Sequence, residues 1–162
     1  MLIVTLPAGL AAGIRHLRRF VAADDSPLVF FWADVRRSIG GGAVVGLVST
    51  VAVAILLLDI DLARSGFLPG GFLIEVVGWV GLAAVAVALL AAAAAWNPET
   101  GWRAAVRSVP ATIAADPAGA LYLVATAGFV VVVTWVLLPL LLPALGLAAL
   151  AAVAIPERRR AR

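Results

Sequence analysis

A single histidine, His16, stands among Arg15, Arg18 and Arg19. A general base or a metal ligand needs a carboxylate or a second ligand close by. None adjoins His16 in the chain, so it reads as a bystander facing lipid headgroups. Serines and threonines occur in no pattern that sets a His or Lys base beside a hydroxyl nucleophile. Gly40-Gly41-Gly42 lacks the Lys-Ser/Thr that completes a phosphate-cradling loop, and it opens an apolar stretch instead. The absence of cysteine removes thiolate nucleophiles, disulfides and thiolate metal sites. Glu75 is the one acid inside an apolar run. Ion-coupled carriers keep such groups near mid-bilayer. Glu75 instead falls within about one helical turn of the run's end, where an ion pair with Arg64 at the interface is the simpler role. The chain does not read as an enzyme, and no catalytic, cofactor-binding or metal-binding residue is expected.

What the polar residues can do is electrostatic. All twelve basic residues are arginine, the net charge is +3 and the pI is near 11.0. Such a balance could point to nucleic acid, but these arginines flank apolar stretches and belong to no soluble basic fold. Attraction to acidic lipid headgroups is the better reading, and no nucleic-acid partner is expected. Hydrophobic residues make up 64% of 162 positions and charged ones 13%, with a mean hydropathy of +1.13. Soluble domains are nearer 45–50% apolar and about 25% charged. The fold class is therefore an all-α integral membrane protein in a single membrane domain, since only helices or closed barrels satisfy their backbone in lipid and no strand-like alternation is present.

Five apolar runs must position these charges: about 1–14, 39–58, 72–95, 117–138 and 140–155. The last four read as full spans, the fifth short but plausible beside its neighbour. The first, Met1–Ile14, is too short for a core of roughly 30 Å at about 1.5 Å per residue. It is no secretory signal, because its charges follow the apolar stretch rather than precede it. It reads as part of a membrane helix: either the true start lies upstream, by roughly six to ten residues on the same rise, or the helix begins part-way through the bilayer. If the spans alternate, Arg15, Arg18, Arg19, Arg36, Arg37, Arg103, Arg107, Arg158, Arg159, Arg160 and Arg162 share one side, and Arg64 stands alone on the other. The positive-inside rule puts the larger group, and the C-terminus, in the cytoplasm, as expected for a bacterial inner membrane.

Two cytoplasmic segments carry most of the remaining polarity. In the first, Ser26-Pro27 after Asp24 and Asp25 signals a helix start. Leu28, Phe31, Trp32 and Val35 then form an apolar stripe with Asp34, Arg36 and Arg37 largely off it, the pattern of an interfacial amphipathic helix. In the second, Asn97-Pro98 opens a short helix that Pro110 closes, and Asp116-Pro117 opens the next span. Trp32 to Ser38 and Trp102 to Ser108 match at Trp, Arg and Ser without a gap. A parallel internal duplication and chance both account for that match. Arg15, Arg18, Arg19, Phe31, Trp32, Arg36, Arg37, Trp102, Arg103 and Arg107 are the candidate surface for lipid headgroups or a partner. Gly9/Gly13 and Gly42/Gly46 form GxxxG pairs suited to close helix packing. Trp96, Trp102 and Trp135 fit an aromatic belt. The LPLLLP stretch with Pro139 and Pro143 reads as a tight apolar turn between the last two spans, or as a hinge.

These elements resemble the YesL-like family of bacterial membrane proteins. The likeness is carried by TLPAGLAAGIRHLRR from Thr5, by FFWADVRRS at Phe30–Ser38, and by the proline-containing LPLLLP turn. Family members carry most of another apolar helix before the region of Thr5, where this chain departs from them. The resemblance implies a non-catalytic accessory role beside carbohydrate uptake systems of the ATP-binding-cassette type, and no ligand residues. The alternative is a small-solute transporter or channel acting as a homo-oligomer, which a cavity lined by Ser49, Thr50 and Thr126 would favour. A third reading, lipid-surface sensing, rests on Arg36, Arg37 and the Phe30–Trp32 face.

Overall fold

The computed structural model describes residues 2–24, 27–66, 69–136 and 141–160. They form six helices: α1 Leu2–Val21, α2 Leu28–Arg64, α3 Gly71–Ala95, α4 Gly101–Ala115, α5 Pro117–Val136 and α6 Leu141–Arg160, with no strand among the described residues. The all-helical class is as expected. By length and composition α2 and α3 can each cross a membrane, and the pair α4–α5, bent by 112°, would make a third crossing unit. Of the four full spans expected from apolar run length, two or three are identified among the described residues. Among the described residues α6 adds a shorter apolar helix over Leu145–Ala154.

Several boundaries differ from the sequence expectation. The segment read as an interfacial helix is the first three turns of α2, which runs unbroken for 37 residues, about 55 Å of helix. No proline or other breaker lies between Trp32 and Ile39, and two of the three glycines that follow, Gly41 and Gly42, are placed where neighbours crowd the backbone. A Cβ on Gly41 would lie 2.6 Å from Trp102 Cδ1, and one on Gly42 3.1 Å from Ala8 Cβ. Helix α1 likewise continues past its apolar run through the arginines to Val21. It ends in a Schellman-type turn, in which the Asp24 and Ala23 amides donate to the Arg19 and Phe20 carbonyls at 3.0 and 3.1 Å. Ala23 sits at φ 57°, where glycine is usual.

Helix α4 passes through Pro110 rather than ending at it, and stops at Asp116. There the carboxylate accepts from the Gly119 amide at 2.9 Å, with Pro117 at the first position of α5. That is the expected grammar of a helix start. Asp25, Ser26 and Pro139 lie outside the described residues, as do Arg162 and the side chains of Thr134, Trp135 and Arg158 to Arg160.

The core gathers at one end of the bundle. The buried run Leu90–Ala93 of α3 is small enough for α1 (Leu10, Ala11, Ile14), α4 (Trp102, Ala105, Val109) and α6 (Ala148, Ala149, Ala152, Val153) to close around it. Elsewhere α2 and α3 present Val, Leu, Ile and Trp side chains outward, the surface a membrane helix offers to lipid.

Candidate functional site

Polar contacts concentrate where α1, α2 and α4 meet. On α2, Asp34, Ser38, Gly42 and Gly46 recur every fourth residue and are all buried, one row along a helix face. Antiparallel to it, α1 brings Arg19, Arg15 and Ala8 onto that row. Asp34 is 2% exposed. Arg15 Nη1 donates to Asp34 Oδ1 at 3.1 Å, and Arg19 Nη2 lies 3.1 Å from Oδ2. The second contact is an ion pair without hydrogen-bond alignment: Asp34 Oδ2 and Arg19 Nη1 are both buried with no hydrogen-bond partner. One carboxylate thus neutralises one of two guanidiniums, leaving a net positive charge between the helices.

Ser38 sits one turn further along. Its hydroxyl proton is shared between the Val35 carbonyl at 3.1 Å and the Ala8 carbonyl at 3.3 Å, while its own carbonyl accepts from Trp102 Nε1 at 2.9 Å. Trp102 is buried over Gly41 and against Trp96, ring centroids 6.3 Å apart. A side chain singled out as surface is therefore the bolt joining α4 to α2. Its sequence counterpart Trp32 is 61% exposed. The matched tryptophans have opposite environments, and α2 continues straight where α4 breaks.

The sequence-predicted arginines separate into two groups. Arg15 and Arg19 hold Asp34, with Arg19 also 5.3 Å over the Phe30 ring. Arg18 donates to the Ala94 carbonyl at 2.7 Å, meeting the negative end of α3. Arg36, Arg37, Arg103 and Arg107 are exposed and make no hydrogen bond or ion pair with any described residue. Phe31 is half-buried, edge-on to His16 at 6.0 Å, and the His16 Nδ1 atom is buried without a partner. His16 is thus wedged against α2 rather than turned to headgroups. At the far end of α2, Arg64 Nε donates to Glu75 Oε1 at 2.7 Å and its guanidinium lies 5.9 Å over Trp79, the interfacial pairing expected for Glu75.

The two glycine pairs also part company. Gly42 and Gly46 pack inside the chain, whereas a Cβ on Gly9 or Gly13 would meet nothing within 4 Å. Asp34 is the residue sequence reasoning passed over. Its signal was present: a lone acid in a four-residue row of small residues, facing two arginines spaced by four.

No cluster of His, Cys, Asp or Glu among the described residues could hold a metal ion. Comparison with protein-family models, characterised proteins and solved structures returned no match.

Proposed function

We propose that this protein is a non-catalytic accessory component of a membrane assembly, in the cytoplasmic membrane of a bacterium. The proposed bundle has four spans, α2, α3, α5 and α6, with α1 as a partial membrane helix and the C-terminus in the cytoplasm. The observation that carries this reading is the character of the interior. The core is built from Ala, Leu, Val, Ile and Trp. Two of the three hydroxyls that could have lined a path are turned onto their own helices: Thr50 donates to the Gly46 carbonyl at 2.7 Å and Thr126 to the Tyr122 carbonyl at 2.8 Å. Those two threonines sit on α2 and α5, which make no direct contact among the described residues. A solute path through one copy of the chain therefore has little to support it. The resemblance to YesL-like proteins adds a partner class, a carbohydrate permease of the ATP-binding-cassette type.

The test is gentle extraction from the native membrane followed by mass spectrometry. A permease subunit in fixed stoichiometry supports the accessory role. A homo-oligomer with lipid alone, together with solute flux in proteoliposomes, overturns it in favour of the transporter reading.

A further inference from the structure

The separation of the arginines into engaged and free sets carries a more specific assignment. We infer that Arg36 and Arg37 of α2, with Arg103 and Arg107 of α4, form a binding corner for the phosphate of an acidic phospholipid, and that Arg15, Arg18 and Arg19 take no part in it. This goes beyond the accessory reading and holds or fails independently of any partner.

Depth is the first argument. The charge-free stretch of α2 begins at Ile39, and at about 1.5 Å per residue Arg37 and Arg36 stand roughly 3–4.5 Å outside it, the level of lipid phosphates. Trp102 bonds the Ser38 carbonyl, which fixes the start of α4 at that same level. The 112° bend at Asp116 turns α4 a little beyond perpendicular to α5. If α5 crosses the bilayer, α4 lies along its surface and keeps Arg107 near the depth of Arg103.

Orientation is the second. Trp102, Ala105 and Val109 face the core, so Arg103 and Arg107, one turn apart on one side of α4, lie on its exposed face. On α2, Arg37 lies one turn from Gly41, the residue that Trp102 covers, and so points toward the α4 crossing.

Charge is the third. Asp34 is enclosed by Arg15 and Arg19, and Asp116 is occupied as a helix cap. Glu99 precedes Arg103 by four residues but forms no ion pair with it among the described residues. Four guanidiniums at this depth, none ion-paired among the described residues, attract anions, and guanidinium is the side chain best matched to phosphate oxygens. The tip of α2 beyond them, with Leu28 and Trp32, reaches further from the bilayer.

The experiment uses the full chain in phosphatidylcholine vesicles and reads the preference for spin-labelled phosphatidylglycerol over spin-labelled phosphatidylcholine. An arginine near an acidic surface contributes on the order of a fivefold preference. Arg37→Gln with Arg103→Gln should therefore lower the selectivity by more than tenfold, and the matching Arg→Lys pair should keep most of it. Arg18→Gln and Arg64→Gln should leave it unchanged. The inference is overturned if the glutamine pair retains wild-type selectivity, or if Arg18→Gln lowers it as much. It is also overturned if inorganic phosphate, but not chloride at equal ionic strength, abolishes the preference, since the corner would then take a free anion. The Arg→Lys pair separates loss of charge from loss of fold.

Discussion

Replacing Asp34 with asparagine is the most informative single change in this molecule, because its sign depends on what surrounds it. In the native chain the carboxylate is 2% exposed and faces two guanidiniums at 3.1 Å. Asparagine keeps the volume and one acceptor for Arg15, but it removes the negative charge and can turn an amide donor toward Arg19. Breaking a fully buried pair costs about 3–5 kcal/mol. Here the arginine side chains remain 32% and 21% exposed and can relax toward water, so a loss of about 2 kcal/mol is expected. In a chain already carrying Arg15→Gln and Arg19→Gln, Asp34 is an uncompensated buried anion. The same Asp34→Asn change should there stabilise by about 1–2 kcal/mol. Reversible unfolding in mild detergent titrated with dodecyl sulfate, followed by circular dichroism, measures both backgrounds. An equal loss in each would refute the electrostatic account and leave Asp34 as a matter of shape alone.

Four further changes test packing, turn and cap. Gly42→Ala should destabilise by about 1–3 kcal/mol in the same unfolding assay, because its Cβ would press on Ala8, backbone included. Gly9→Ala, with open space around it, should be neutral or stabilising by up to about 1 kcal/mol; a comparable loss there would mean that α1 packs against something else in the membrane. Ala23→Gly should stabilise by roughly 1 kcal/mol, since the residue ending α1 sits at φ 57° and a side chain is penalised there; a loss would show that the turn differs in solution. Asp116→Ala, which removes the acceptor for the Gly119 amide, should cost about 1 kcal/mol, visible as a lower unfolding midpoint.

The helical class and most helix positions were legible in the sequence, because apolar run length and cap residues are local signals. Asp116-Pro117 begins a helix where the pattern puts it, and Glu75 meets Arg64 as their placement near one interface implies. What was not legible is continuity. A change from amphipathic to uniformly apolar composition at Ile39 looks like a boundary between two elements, yet no proline lies there and α2 runs through, its three glycines included. Pro110 misled in the opposite direction. Proline removes a single donor, and α4 extends past it to Ala115. Trp102 shows a different limit. An indole beside arginines on a short amphipathic helix has the composition of an interfacial anchor, and only the gap opened by Gly41 on another helix reveals it as core.

The free and engaged arginines bear on how basic flanks of membrane helices are understood. The positive-inside rule counts charges and is indifferent to what each does afterwards. In this fold Arg15, Arg18 and Arg19 serve the protein itself: two hold Asp34 and one caps the end of α3. Their spacing by three and four residues puts them on the side of α1 that faces the bundle. Arg36 and Arg37 are adjacent on α2, next to the row that buries Asp34 and Ser38, and so cannot follow it inward. Arg103 and Arg107 share a face of α4 opposite Trp102 and Ala105. The division therefore follows from helical phase. A basic residue in register with a buried row becomes part of the fold, and one out of register remains available to the membrane. On that reasoning, moving Arg37 one position to 38 would place a guanidinium where Ser38 is wholly buried. The α1–α2 contact at Ala8, rather than lipid selectivity alone, would be the first thing lost.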